Sequence, residues 1–135
     1  LAGLETQDAA SPPPPDPPRE EIDVGALRWR WAGPGRRIAP IDVPGSRYKT
    51  FALEVGAGRA MLEHSHRGQE WTLVLRGAYR DEDGVVRAGD FVESDSETLH
   101  RPVADAREGC LCVSVLSEPL AVGGVAGALT RWLLR

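Results

Sequence analysis

The chain has 135 residues, the length of one domain and enough to bury roughly two-thirds of its extended-chain surface. Its formal net charge is -4 and it carries no basic run or Lys/Arg stripe, which excludes nucleic acid as a direct partner. No apolar run reaches the ~18 residues of a membrane span, and no charged-then-apolar signal peptide is present.

The chain opens on Leu1 and not on Met, so it is expected to continue upstream. Residues 1–22 read as a proline-rich linker or tail and residues 23–135 as the folded domain. In "DAASPPPPDPPREE" the prolines cannot donate to a helix or sheet ladder and favour polyproline II. The stretch from Pro12 to Arg19 would span about 25 Å at ~3.1 Å per residue, a semi-rigid spacer to a further N-terminal domain. "LAGLETQ" before it reads as the frayed end of that domain's last helix.

From Val24 onward the pattern is that of short strands punctuated by glycine and proline. "ALRWRWA" alternates Leu27, Trp29 and Trp31 with Arg28 and Arg30, the period of a half-buried strand, and "GPG" breaks it. "RIAPIDV" is a second strand, with Pro40 pointing to a sheet edge. "SRYKTFALEV" puts Phe51, Leu53 and Val55 on one face. "GAG" then turns the chain into "RAMLEHSH", and "EWTLVLRGAYR" follows the next turn. "DEDG", 81–84, is a hairpin turn. "GDFVES", "TLHRPV" and "CLCVSVL" complete the run. Such strands with turn signals every ~8–12 residues predict an all-β sandwich or barrel. "AVGGVAGALTRWLLR" reads equally as a helix or a last strand.

The chain has three histidines, and two of them stand in "HSHRGQEW". In a strand, residues i and i+2 share a face, so His64 and His66 project together. Gly68 supplies the reversal that lets Glu70 open the next strand, and a later strand can deliver His100. Three imidazoles and one carboxylate suit a divalent first-row transition metal. A His-x-His pair alone is an ordinary surface-strand pattern, and a lone glutamate is an ordinary solvated charge. The glycine frame around them is what distinguishes this stretch.

Gly58, five residues, His64-x-His66, three residues, Glu70, six residues, Gly77 matches the first cupin motif at every spacing. In the second motif, Gly89, ten residues, His100 keeps the glycine-to-histidine distance. Asp95-Ser96-Glu97 replaces the usual Pro-x-Gly, and Ala104 the usual asparagine. From about Trp29 to Leu116 the chain therefore resembles the cupin superfamily, which implies a double-stranded β-helix, or jelly-roll barrel. "HRGQEWTLVLRGAYRDEDG", "AGD" and "LHRPVADAREGCLCV" narrow the resemblance to the C-terminal cupin-like domain of ChrR-type zinc anti-sigma factors. That resemblance implies His64, His66, Glu70 and His100 as metal ligands. Zinc is the expected metal, because a closed four-ligand site of three nitrogens and one oxygen suits it; iron, manganese and nickel are the alternatives. It also implies a sigma factor as partner, held through an N-terminal domain not represented in these residues. A homodimer is left open.

Cys110 and Cys112 sit two apart on a predicted strand and point to one face, a poor geometry for a direct disulfide. They read either as small buried apolar residues or, by the resemblance, as redox-responsive thiols. Their spacing is too short to staple a domain, which fits a soluble protein of a reducing, cytoplasmic compartment. Trp29, Trp31 and Trp71 read as sheet-packing residues, and Trp132 packs back on the domain or faces a partner. Arg47, Arg59 and Arg101 read as rim charges, with a substrate-carboxylate role open to Arg101. Inward parity brings Ala60, Leu62, Thr72, Val74, Thr98 and Pro102 near the metal, a lining poor in acid–base groups. That favours a regulatory sensor domain of an anti-sigma factor, with no catalytic residue, over the alternative of a cupin enzyme such as an Fe(II) dioxygenase.

Overall fold

The computed structural model describes residues 21–61, 65–66, 68–95, 101–118 and 120–121. The proline-rich stretch 1–20, the C-terminal stretch 122–135, His64 and His100 lie outside them. One short 3-10 turn, Val24–Ala26, precedes the strands. These are β1 (Arg30–Trp31), β2 (Arg36–Ile41), β3 (Lys49–Val55), β4 (Ser65–His66), β5 (Glu70–Asp81), β6 (Gly84–Arg87), β7 (Phe91–Ser94), β8 (Val103–Ala104), β9 (Cys110–Leu116) and β10 (Leu120–Ala121).

Every pairing among them is antiparallel. The order β1-β2-β3-β9-β5 makes the larger sheet, and β10 pairs with β4 separately. The twelve residues of β5 serve two sheet regions. Its first part lies between β9 and β7, and its last part between β6 and β8. A bulge makes this change possible: the register with β9 slips between Val74 and Arg76, and an extra residue on one strand bends it and increases its local twist. A long strand that bends from one region to the next is how a jelly roll closes around its interior.

Alternation decides what is buried. Along β9 Cys110, Cys112, Ser114 and Leu116 are buried while Leu111, Val113 and Val115 are half-buried. The interior cluster gathers Val55, Met61, Val74, Tyr79, Ala104, Cys110 and Cys112, and it continues into Ala32, Ile38, Phe51 and Leu116. The opposite face of the larger sheet is covered as well. There Ala39, Ile41 and Ala52 pack under Leu27, Trp29 and Val113. The Trp29 indole N–H donates to the Val24 carbonyl at 3.1 Å, and the Arg37 guanidinium lies 4.6 Å from the ring centroid. The short 3-10 turn thus anchors the tryptophan that caps this face.

Several expectations meet the structure directly. Pro40 pairs with Phe51 on one side, and β1 reaches only Arg37 and Ile38 on the other, so the missing proline N–H faces no ladder. The 81–84 turn closes on the Asp81–Gly84 pair, and the Asp81 carboxylate accepts from the N–H of Asp83 at 2.9 Å and of Gly84 at 3.2 Å. Trp71 packs against Tyr48 with the rings tilted by 53° and 5.8 Å between centroids. Trp31 departs from the sheet-packing expectation: it is 68% exposed. It stands opposite Arg37 in the two-residue strand β1, past the end of the cluster that Trp29 covers.

Candidate functional site

The site is built on two neighbouring strands. The register sets Glu70 opposite Leu116, Thr72 opposite Ser114, Val74 opposite Cys112 and Gly77 opposite Cys110. These side chains share the inner face because each strand alternates. The bulge after Val74 changes the parity of β5, so that Gly77 and Tyr79, and not residues 76 and 78, turn inward and are buried.

Thr72 and Ser114 are the buried polar residues among those described. A buried hydroxyl without a partner is costly, and here the two satisfy one another at 2.8 Å. Thr72 also donates to Oε1 of Glu70 at 3.3 Å. Cys112 and Cys110 follow Ser114 on the same buried face of β9. The two thiols, the two hydroxyls and the carboxylate therefore line one inner wall. Both cysteines are free. The neighbouring Cys110 thiol, then burial, then the Glu70 charge push the Cys112 thiol up, and the neighbouring Cys112 holds that of Cys110 down. Burial, then Asp81, Cys112, Glu70 and Cys110, push the Tyr79 phenol well above its ordinary value. Tyr79 is consequently a protonated hydrogen-bond donor at neutral pH and no general base.

Of the four sequence-predicted ligands, Glu70 stands half-buried at the start of β5. His66 lies on β4 in register with Leu120. His64 and His100 fall outside the described residues, and no group of three His, Cys, Asp or Glu occurs among the described ones. The segments leading to the two outer histidines run side by side: Met61 N–H donates to Pro102 at 2.7 Å, and Ala104 N–H to Arg59 at 2.9 Å. The β4–β5 turn is held against the end of β9. There Gln69 N–H donates to the Ser117 hydroxyl at 2.8 Å, and Ser117 N–H to the Gln69 carbonyl at 3.0 Å. A Cβ on Gly68 would meet the Ser117 hydroxyl and lie 2.7 Å from Cγ of Glu118, so a larger residue there would have to displace both side chains.

Of the predicted lining, Thr72, Val74 and Pro102 are buried and Ala60 is half-buried, while Leu62 and Thr98 lie outside the described residues. Arg47, Arg59 and Arg101 are exposed. Sequence parity missed Tyr79 because a bulge cannot be read from alternation. It could have found Ser114, which continues the spacing of Cys110 and Cys112.

A separate surface groove of about 560 Å³ runs between Trp31, Arg36, Arg37, Glu54 and Arg76. Its guanidinium groups are already engaged. Arg37 and Arg76 both bind the Glu54 carboxylate, the latter at 2.6 Å, and Arg36 donates to the carbonyls of Ala60 and Pro34. It is therefore no ready anion site.

Residues 18–119 match the ChrR cupin-like domain family. The chain belongs to that family. The anti-sigma-E factor ChrR of Cereibacter sphaeroides is 40% identical over 94 residues, which cover 70% of this chain and 44% of that protein. The ChrR-family fold is also matched in the crystal structure of Rhodobacter sphaeroides SigE in complex with the anti-sigma ChrR. The identity there is 38% and the TM-score 0.66, over 70% of this chain and 52% of that one. The chain thus spans about half the length of these relatives. An RmlC-like cupin protein from Ralstonia eutropha JMP134 shares the fold at 19% identity and a TM-score of 0.64, over 84% of each chain. A putative acetylacetone dioxygenase from Methylibium petroleiphilum PM1 does so at 16% and 0.63, over 84% and 86%. The sandwich-or-barrel expectation resolves to a cupin. No helix among the described residues is long and apolar enough to cross a membrane.

Proposed function

We propose that this chain is the metal-binding sensor domain of an anti-sigma factor, and that it regulates release of an alternative sigma factor bound by a domain upstream of Leu1. The observation that carries this reading is its 40% identity to the anti-sigma-E factor ChrR over 94 residues, beside a family match over 18–119 that spans all four candidate ligands. His64, His66, Glu70 and His100 would hold one divalent metal, with zinc favoured by the donor set. The residues that can be described fit such a group. Glu70 is half-buried beside a hydroxyl donor, β4 and β5 are joined by a pinned glycine turn, and the segments leading to His64 and His100 adjoin. A bound zinc would supply a fixed positive charge that draws these segments together.

A sensor needs residues that an oxidant or small ligand can alter, not acid–base machinery. The interior offers two thiols, two hydroxyls and a protonated phenol, and the Cys110/Cys112 pair lines the same inner wall as Glu70. Signal arrival would change the barrel, and the change would reach sigma through the proline-rich stretch.

The test uses the full-length protein with its sigma factor. Elemental analysis is expected to give about one equivalent of divalent metal in the barrel. His66→Ala should lower occupancy sharply. Glu70→Gln, and Cys110→Ala with Cys112→Ala, should change oxidant-triggered sigma release while leaving resting sigma affinity unchanged. Absence of metal after reconstitution defeats the metal reading. Wild-type release in all variants, with turnover of a diketone or similar substrate with O₂ by the barrel, replaces the sensor with a dioxygenase.

A further inference from the structure

We infer that Thr72, backed by Ser114, is a positioning residue that fixes the direction of the Glu70 carboxylate. The argument is one of proton counting. An ionised carboxylate only accepts hydrogen bonds, and a serine or threonine hydroxyl has a single proton to give. Thr72 donates to Oε1 of Glu70, so its proton is committed. In the 2.8 Å contact between the two buried hydroxyls either oxygen could donate, and with the Thr72 proton given to Glu70 the donor there is Ser114. The donors point one way, toward Glu70, and each link polarises the next.

The geometry leaves this pair little freedom. Thr72 and Ser114 face each other in register across β5 and β9, and both are buried. Thr72 is β-branched and stiff at χ1, and it sits two residues from Glu70 on the same strand face. An outer-shell hydrogen bond of this type orients a ligating group before the metal arrives. This inference rests on the proposed metal-binding role of Glu70.

The experiment compares zinc affinity in the whole chain, by competition with a chromophoric chelator, for Thr72→Val, Thr72→Ser and the double variant Thr72→Val/Ser114→Ala. Cobalt(II) substitution reads the donor set in parallel. Thr72→Val should weaken zinc roughly 10- to 100-fold, the usual effect of losing an outer-shell partner, and should shift the cobalt visible spectrum. Thr72→Ser, which keeps the hydroxyl, should bind close to wild type. The double variant removes the serine left without an acceptor, so its thermal stability should recover relative to Thr72→Val while its affinity stays low. That split separates positioning from mere packing, and it holds even where the single variant folds poorly. Wild-type affinity and an unchanged cobalt spectrum in the valine variants overturn the inference while leaving the metal site intact. A wild-type chain that binds neither zinc nor cobalt overturns the metal reading itself, and the inference with it.

Discussion

Substituting Gly77 by alanine tests whether the glycine frame of the cupin motif has a steric origin. Gly77 has φ of +72°, a conformation that costs a residue with a Cβ ~1–2 kcal/mol. It also lies inward on β5 opposite Cys110. A Cβ there would overlap the carbonyl oxygen of Gly109 and stand 2.9 Å from its carbonyl carbon. Those are backbone atoms, held by the Ala78 N–H donating to the same carbonyl at 3.1 Å, so they cannot swing aside as a flexible side chain would. Overpacking of this kind adds ~1–3 kcal/mol. Gly58 is the natural control. Its φ is +68°, but a Cβ there meets nothing within 4 Å, so Gly58→Ala should lose only the ~1–2 kcal/mol conformational term. The two variants are compared by urea unfolding followed through tryptophan fluorescence, with the slope of the transition checked for constancy. Each extra kcal/mol in Gly77→Ala should lower Tm by roughly 4 °C for a domain of this size. Equal losses in the two variants would refute the steric account and leave only the backbone conformation to explain the frame.

Glu54→Gln should cost about 1 kcal/mol or less at neutral pH, since the partners Arg37 and Arg76 are largely exposed. The Arg37 hydrogen bond, with Arg76 in support, holds the Glu54 carboxyl below its ordinary 4.5. Its contribution is therefore full above pH 4.5 and is lost as pH falls through the lower folded value, so unfolding curves of wild type and variant should converge in acid; a gap that persists there contradicts the assignment. Cys110 and Cys112 are both 2% exposed, so alkylation of either in the native protein should await local opening and run far slower than in the urea-unfolded chain; peptide mass spectrometry showing either thiol modified at the unfolded rate under native conditions would contradict their burial.

Much of this fold was legible because its rules are local. Proline at an edge, an aspartate-led hairpin and two-residue alternation each act over a few residues, and Pro40, Asp81 and the β9 run all behave accordingly. What was hidden depends on longer-range pairing. Trp31 has the spacing of a packed residue, yet its strand is too short to bring anything over it. The bulge in β5 depends on how β9 meets it, so the inward turn of Gly77 and Tyr79 follows from a register and not from a pattern. The proposed four-residue ligand set rests on spacing, whereas the hydroxyl pair behind Glu70 required the partner strand to be known.

The bulge also explains why one strand can hold both chemical ends of the interior. Before it, β5 faces Glu70 and Thr72 toward Ser114 and Leu116; beyond it, Gly77 and Tyr79 turn in beside Cys110 and Ala104. Without the slip, strict alternation would set Arg76 on the inner face next to Val74, an unpaired cation in an apolar cluster, at a cost of several kcal/mol. With it, Arg76 turns outward to Glu54 at 2.6 Å. The same irregularity thus keeps a charge out of the core and carries the larger sheet into the second region. It also brings the thiols and the carboxylate onto one continuous wall. That wall sets two thiols, two hydroxyls and Glu70 on one inner face with no cation between them, and it is on this lining, poor in acid–base groups, that the proposed sensor reading rests.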